Sequence, residues 1–314
     1  MTGPQWLPSR ICSLDARGEP LLARDGSGTL IGRNRKENRR HDTYAEMPLR
    51  IETFHRKAAR GWALIRRDGR RADATRPFSL ETGFTRHAEG SVLARAGDTH
   101  VLCNASVEPR VPPWLKGRGR GWVTAEYAML PRATNTRTSR EVAGSRPSGR
   151  NLEIQRLIGR SLRSVVALEA LGEHTVTLDC DVLQADGGTR TTAISGAFVA
   201  LVLALRKLGE AHPFPSPPVT GALSSISVGI VDGLPLLDLD YGEDSTAEVD
   251  LNVVMTQGGS PAADSGALAL VEVQGNAEGK PFSRADLTTM LDLAELGIAE
   301  KMAVQWKVLE GRLV

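Results

Sequence analysis

Cysteine is scarce in this chain of 314 residues, and the few cysteines are scattered. Cys12, Cys103 and Cys180 cannot all pair within one chain and show no CxxC spacing, which excludes a disulfide scaffold and a cysteine-based zinc site. The six histidines are also dispersed without metal-ligand spacing. We therefore expect a protein of a reducing compartment, the cytoplasm.

Long apolar stretches are also absent. The longest run, residues 197–205, is far below the roughly 18 to 20 residues that cross a bilayer, so it predicts a buried helix and no membrane span. The N-terminus lacks the charged-then-apolar layout of a secretory signal. Walker loops, nucleophile elbows, internal repeats and low-complexity tracts do not occur, which excludes P-loop enzymes and repeat proteins.

The formal net charge of +2 conceals a strong charge asymmetry along the chain. Residues 106–150 carry nine basic and three acidic side chains, a net charge of +6. Residues 231–314 carry five basic and fifteen acidic side chains, a net charge of −10. Such a distribution indicates that a polyanion would be attracted to one surface and repelled by another, although a basic run is also compatible with an ordinary solvated loop.

Alternating apolar and helical periods interleave from residue 66 onward and predict an α+β fold with mixed sheets and packed helices. The predicted strands are a hairpin at 91–105, then 175–183, 224–231, 234–241, 249–255 and 267–273. The predicted helices are 151–171, 190–208 with Thr189 as N-cap, and a C-terminal helix to Leu309 that Ser283 and Asp286 would cap. Residues 1–64 show no sustained period and are expected to form little stable structure.

Two helix starts carry arginines beside glycine and hydroxyl groups. Gly188, Thr189 and Arg190 combine free helix amides, close backbone approach, a hydroxyl and a guanidinium, which suits a phosphate-sized anion. Arg150 at the preceding helix start would join them if the two helices pack side by side. A capped helix with an exposed arginine is the alternative interpretation of the same residues.

Six carboxylates crowd the region between two predicted strands: Asp238, Asp240, Glu243, Asp244, Glu248 and Asp250. Asp244 and Asp250 could jointly bind Mg²⁺, which prefers oxygen ligands, or one of them could protonate a departing hydroxyl. A solvated acidic turn is the alternative. Beside an anion site, the cluster favours phosphoryl transfer.

Several long motifs resemble bacterial ribonuclease PH. They are RHAEGSVL (86–93), GWVTAEYAMLPRATNTR (121–137), GRNLEIQRLIGRSLR (149–163), LDCDVLQADGGTRT (178–191), EDSTAEVDLNVVMT (243–256) and EVQGNAEGKPF (272–282). The resemblance covers residues 65–314 and implies a ribosomal protein S5 domain 2-like fold. It also implies a homohexameric ring, a trimer of dimers, with no membrane association. Residues 1–64 have no counterpart and are interpreted as an appended extension or a translation start placed too far upstream.

The resemblance also implies an activity, namely phosphorolytic 3′ to 5′ trimming of tRNA precursors and other structured RNA 3′ ends, rRNA included. Inorganic phosphate is the co-substrate, nucleoside diphosphates are released, and the reverse reaction adds nucleotides. The matching positions make Arg150, Gly188, Thr189 and Arg190 the phosphate site. Asp244 and Asp250 match the catalytic pair that holds a divalent metal, Mg²⁺, and the positions matching RNA-binding arginines are Arg86, Arg132, Arg137 and Arg140.

A catalytically silent RNA-binding ring subunit is the alternative function. Such a subunit would be expected to lack the phosphate-site arginines or the acidic pair, whereas all four residues are present. Polynucleotide phosphorylase has a duplicated core. This sequence contains only one copy of each motif, which excludes that enzyme. Two segments, 145–148 and 260–266, depart from the ribonuclease PH pattern and make the local loop geometry there hard to predict.

Overall fold

A computed structural model describes residues 22–24, 30–32, 66–140, 148–258 and 267–314. The chain divides into two compact units, Met1–Arg50 and Ile51–Val314. In the first unit, β1 (Leu22–Arg24) pairs antiparallel with β2 (Leu30–Gly32). The remainder of residues 1–64 lies outside the described residues, so the interpretation of this range as an extension stays a prediction.

A five-stranded sheet forms the first half of the second unit, with strand order β3-β4-β5-β7-β6. Its strands are β3 (Phe78–Thr82), β4 (Gly90–Ala96), β5 (Thr99–Glu108), β6 (Trp122–Met129) and β7 (Thr175–Gln184). Neighbours run antiparallel except β6 and β7, which are parallel. Because β6 and β7 are parallel, both of their carboxyl ends lie at the same edge of the sheet, where β7 leads into the glycine turn.

A four-stranded antiparallel sheet forms the second half, with strand order β11-β10-β8-β9. Its strands are β8 (Ala222–Val231), β9 (Leu234–Leu237), β10 (Val249–Gln257) and β11 (Leu268–Ala277). Asp232 and Gly233, both with positive φ, form the two-residue turn between β8 and β9. One mixed sheet and one antiparallel sheet, packed with helices, confirm the predicted α+β class.

Four α-helices accompany the sheets in the described residues: α1 (Gly149–Arg163), α2 (Thr189–Ala211), α3 (Tyr241–Asp244) and α4 (Arg284–Val308). Helix α2 contacts strands of both sheets. It approaches β4 so closely that a Cβ atom at Gly90 would lie 1.9 Å from the Ala200 carbonyl oxygen. The helix is long and apolar enough to span a membrane, but 72% of its most apolar window is buried inside the protein. Residues 197–205 are therefore core, as their composition predicts.

The predicted elements are present, although β3 and β6 are not among them and several ends differ by a few residues. Three of the differences have a clear physical reason. Helix α1 ends at Arg163 rather than residue 171, since Ser164 caps it and Val166 pairs with Val219 in an isolated β-bridge. Strand β9 ends at Leu237 because Asp238 adopts a left-handed backbone with φ of 53°. The N-cap of α2 is Gly188 and not Thr189, which is the first residue of the helix.

Candidate active site

The glycine turn at the start of α2 is fixed from the sheet side. Gly187 and Gly188 have φ of 70° and 62°, which favours glycine at both positions. The hydroxyl of Thr99, fully buried, accepts from the Asp186 amide at 2.8 Å and donates to the Gly187 carbonyl at 2.7 Å. Residues 186–188, called the phosphate loop below, are therefore held by strand β5.

Tyr127 explains why Thr189 does not cap the helix. The buried phenol of Tyr127, on β6, donates a hydrogen bond of 2.9 Å to Thr189 Oγ1. Burial raises the pKa of Tyr127, while the hydrogen bond to Thr189 and the charges of Arg150 and Arg190 oppose the rise. The Thr189 hydroxyl is thus bonded to strand β6. The backbone amides at the start of α2 have no side-chain cap.

The phosphate loop packs directly against residues 238–250, called the acidic segment below. A Cβ atom at Gly187 would lie 2.6 Å from the Leu239 carbonyl oxygen and 2.9 Å from the Tyr241 nitrogen. The Tyr241 amide donates to Asp186 Oδ1 at 3.3 Å. Because backbone meets backbone here, the start of α2 and the short helix α3 form one continuous surface, and only glycine fits at Gly187.

The guanidinium of Arg190 contacts two side chains, Gln274 and Glu153, that the sequence analysis does not identify as site residues. Its Nη1 donates to Gln274 Oε1 of β11 at 3.0 Å and lies 3.6 Å from Glu153 Oε1 of α1. Gln274 Nε2 in turn donates to Glu153 Oε1 at 2.7 Å. The side chain of Arg190 is 19% exposed, so part of the guanidinium faces solvent.

Arg150 is the second residue of α1, which Ser148 caps by accepting from the Asn151 amide at 3.2 Å. Its side chain is exposed and makes no hydrogen bond or ion pair within the described ranges. Its charge nevertheless acts on Tyr127, Asp244 and Asp250. Arg190 acts on the same three side chains, and helices α1 and α2 contact each other.

Asp244 and Asp250 are both influenced by the positive charges of Arg150 and Arg190. Burial raises the pKa of Asp250 to about 6, and the charge of Asp244 adds to the rise, against the opposing effect of Arg190. Partial burial of the carboxyl group also raises the pKa of Asp244, and the charges of Arg150 and Arg190 oppose this rise. The residue as a whole is exposed to solvent. The charges of Arg150 and Arg190 therefore act on both carboxyl groups of the predicted acidic pair.

The acidic pair fits a hard divalent cation. Asp250 Oδ1 is buried and has no hydrogen-bond partner, and its other oxygen accepts from Asn252 Nδ2 at 3.3 Å. A buried carboxylate oxygen without a donor, beside a second carboxylate, is an arrangement that Mg²⁺ would satisfy. Among the described residues no group of three or more His, Cys, Asp or Glu surrounds one point, so further ligands would come from water or phosphate oxygens.

The other four carboxylates of the acidic cluster have different partners. Asp238 and Glu243 are buried in ion pairs with Arg76 and Arg66. Asp240 caps α3 by accepting from the Glu243 amide, and Glu248 accepts from the amide of Gly233. The cluster is therefore not a uniformly solvated turn, and Asp244 and Asp250 are the members whose pKa values respond to the charges of Arg150 and Arg190.

The loop that follows β6 carries Arg132, Arg137 and Arg140, and it begins next to the phosphate loop. The Leu130 amide donates to the Val182 carbonyl at 3.0 Å, and the Ala133 carbonyl accepts from Ala185 at 2.8 Å, one residue before the phosphate loop. Arg132 folds back on the Asn135 carbonyl, and Arg132, Arg137 and Arg140 are exposed. Residues 141–147, which include part of the segment 145–148, lie outside the described ranges.

Arg86 lies in the exposed connection between β3 and β4, where its Nε contacts His87 Nε2 at 3.2 Å. In the described parts of the chain it makes no contact with Arg150, Arg190 or the acidic pair. A role for Arg86 on an RNA path stays a prediction.

Known proteins share both sequence patterns and the fold with this chain. The sequence pattern of the 3′ exoribonuclease family, domain 1, matches residues 74–207, and that of domain 2 matches residues 221–296. A rice (Oryza sativa) Rrp46 structure is similar with a TM-score of 0.60 and 18% identity, over 78% of this chain and all of that chain. An Archaeoglobus fulgidus exosome structure with RNA bound to the active site is similar with a TM-score of 0.61 and 22% identity, over 82% and 98% of the two chains.

These matches confirm the expected ribosomal protein S5 domain 2-like fold. The two matched patterns correspond to the two halves of the second unit, one on each sheet, and together they cover most of the chain. The protein belongs to the 3′ exoribonuclease family.

Proposed function

We propose that this protein is a phosphate-dependent 3′ to 5′ exoribonuclease that trims extra nucleotides from the 3′ ends of tRNA precursors. The observation that carries the proposal is that Arg150 and Arg190, at two helix starts, both act electrostatically on Asp244 and Asp250. A catalytically silent subunit needs neither set of charges. Their joint presence in a member of this family favours the enzyme.

The arginines and the free amides at the start of α2 would hold inorganic phosphate as the nucleophile. An oxygen of that phosphate attacks the phosphorus of the terminal RNA phosphodiester, the bond from phosphorus to the preceding 3′ oxygen breaks, and the 3′ oxygen takes up a proton. A nucleoside diphosphate leaves. One P–O bond replaces another, so the same site can add nucleotides from diphosphates in reverse.

Asp244 and Asp250 would hold Mg²⁺, which when bound neutralises charge on the phosphoryl oxygens. Both the attacking phosphate and the RNA phosphodiester are anions, so bringing them together is the main barrier that the site must lower. Arg150, exposed and without an ion-pair partner in the described residues, is available to either anion. Catalysis then consists of positioning and charge neutralisation.

The exposed Arg132, Arg137 and Arg140 would contact the phosphates of the tRNA acceptor stem. Their loop starts beside the phosphate loop, so a stem bound there could deliver its 3′ end to the site. Contacts of this kind weaken as salt concentration rises. The similar exosome structure named above contains RNA bound to its active site, which supports RNA as the substrate. We propose a homohexameric ring, a trimer of dimers, for this chain.

Arg137→Ala is expected to weaken processing of a tRNA precursor more than cleavage of a short single-stranded RNA. The stem phosphates lie outside the catalytic site, so only the structured substrate loses a contact. We expect about a tenfold lower kcat/KM for the tRNA at low salt, corresponding to one charged hydrogen bond. Steady-state assays on both substrates check this, with exposed Lys207→Ala as the control. Equal losses on both substrates would contradict a stem contact.

Gln274→Ala is expected to raise the KM for inorganic phosphate about tenfold while kcat changes little. The amide holds Arg190 at 3.0 Å and ties it to Glu153, so its loss leaves the guanidinium free to turn toward Glu153 alone. Phosphate titrations at saturating RNA measure both constants. Gln184→Ala is the matched control, since the side-chain amide of Gln184 donates to the Asp98 carbonyl and not to Arg190 or Glu153 in the described residues. A fall in kcat with unchanged KM would show that Gln274 does not act through phosphate binding.

A further inference from the structure

A buried ion-pair network joins the segment before β3 to the acidic segment. Residues 66–76 are called the strap below. Arg66, 5% exposed, donates from Nε to Glu243 Oε1 at 2.7 Å and from Nη2 to the Asp238 carbonyl at 3.0 Å. Glu243 immediately precedes Asp244, so the strap grips the residue next to one of the two candidate metal ligands.

Arg76 contacts both halves of the candidate site. Its backbone amide and Nε donate to Asp238 Oδ2 at 2.8 and 3.1 Å, and its Nη2 donates to Asp238 Oδ1 at 2.8 Å. Its Nη1 donates to the Asp186 carbonyl in the phosphate loop. A Cβ atom at Gly188 would lie 3.1 Å from Arg76 Nη2. One guanidinium therefore bridges the phosphate loop and the acidic segment where the two pack against each other.

The carboxylate that Arg76 grips is fixed in position and charge. Asp238 is fully buried, and its left-handed backbone turns the chain from β9 toward α3. Burial alone would raise its pKa, but the charges of Lys301 and Arg76 and the hydrogen bonds from Arg76 hold it well below the usual range. Lys301 lies against the Phe78 ring and donates to the Ser225 carbonyl at 3.1 Å. Asp238 is thus a charged anchor on one side of Arg76.

We propose that Arg76 is a positioning residue, which sets the distance between the phosphate loop and the segment carrying Asp244. The proposal rests on the proposed function, because it assigns Arg76 to the geometry of that site. The forked guanidinium is needed, since its separate N–H groups reach Asp238 and Asp186 at once, whereas an ammonium is a single point charge. An error of about 1 Å in such a site can lower the rate about a hundredfold.

The test measures binding of inorganic phosphate by isothermal titration calorimetry and turnover on RNA for the full-length protein. Arg76→Lys is expected to weaken phosphate binding about tenfold and lower kcat/KM about a hundredfold. The matched control is Arg71→Lys in the same strap. The Arg71 side chain is 56% exposed and pairs with Asp73, and no hydrogen bond joins it to the phosphate loop or the acidic segment in the described residues. That control is expected to stay within about twofold of the wild type.

Two further measurements separate positioning from a general loss of structure. Arg76→Ala is expected to regain phosphate binding when guanidinium-type compounds such as ethylguanidinium are added at concentrations that do not denature the protein. Asp238→Asn, which keeps the shape and removes the charge, is expected to lose phosphate affinity in the same way as Arg76→Lys. It serves as the second variant if Arg76→Lys does not fold.

Each contrary outcome has a distinct meaning. Wild-type phosphate affinity in folded Arg76→Lys or Asp238→Asn, or an equal loss in Arg71→Lys, overturns the positioning role. Phosphate binding that depends on Arg76, together with release of nucleoside monophosphates or no release at all, retains the positioning role and rejects phosphorolysis. A wild-type protein that does not bind phosphate rejects both.

Discussion

Arg190→Ala is expected to lower kcat/KM for inorganic phosphate by about a thousandfold, the order of effect seen when a charge-stabilising arginine is removed from a phosphoryl-transfer site. Arg190 stands in the first turn of α2, beside the phosphate loop, and is partly open to solvent. Its loss removes both a contact to the nucleophile and a charge that opposes the carboxylates. RNA binding should survive, since Arg132, Arg137 and Arg140 lie in a separate loop.

Lys207→Ala is the matched control for this variant, because it removes one positive charge from an exposed position on the same helix. The two variants are compared by phosphate titration at saturating RNA and by RNA binding without phosphate. An Arg190→Ala enzyme whose rate depends on phosphate as in the wild type would show that the start of α2 is not the phosphate site.

Asp250→Asn is expected to make the protein more stable and less active. The folded pKa of Asp250 is about 6 and the unfolded value is about 4. Between these pH values the native state binds more protons than the unfolded state, so the free energy of unfolding falls as pH rises from about 4 to 6. The difference of about two units corresponds to about 3 kcal/mol at neutral pH, which the asparagine avoids.

Urea denaturation without divalent metal, at pH 4 and pH 7.5, measures this effect. We expect the variant to exceed the wild type by about 2 to 3 kcal/mol at pH 7.5 and by little at pH 4. Mg²⁺ should narrow the gap, because it would bind and stabilise only the wild-type carboxylate pair. Turnover should fall at least about a hundredfold. Asp98→Asn, at an exposed turn, is the control, and an unchanged pH profile of stability in Asp250→Asn would contradict the buried charge.

Local patterns in the sequence predict most of the fold. The hairpin turn at Asp232 and Gly233 and the capping box of Ser283 with Asp286 depend on neighbouring residues, and both occur as predicted. The end of α1 is misplaced because its apolar pattern continues beyond Arg163 into a turn whose side chains are also buried. The cap of α2 is misassigned because Tyr127, 62 positions away, takes the Thr189 hydroxyl.

The candidate site is only partly visible in the sequence. Residue types at two helix starts and in an acidic turn predict its charged groups, but bringing Arg150, Arg190, Asp244 and Asp250 together requires the fold. The buried arginines Arg66 and Arg76 cannot be recognised from the sequence, because counting charges along the chain treats every arginine as exposed to solvent. Arg76 and Asp238 are 162 positions apart, and no spacing rule reveals a buried pair at that separation. Gln274 is missed because an amide on an edge strand carries no distinctive pattern.

The most direct test of phosphorolysis incubates the purified protein and Mg²⁺ with a tRNA carrying a few extra 3′ nucleotides, with and without inorganic phosphate, and identifies the released nucleotides. Nucleoside diphosphates that appear only with phosphate are the predicted result. Monophosphates released without phosphate would mean hydrolysis, and tRNA binding without any release would mean a silent subunit; either result would contradict the proposed function.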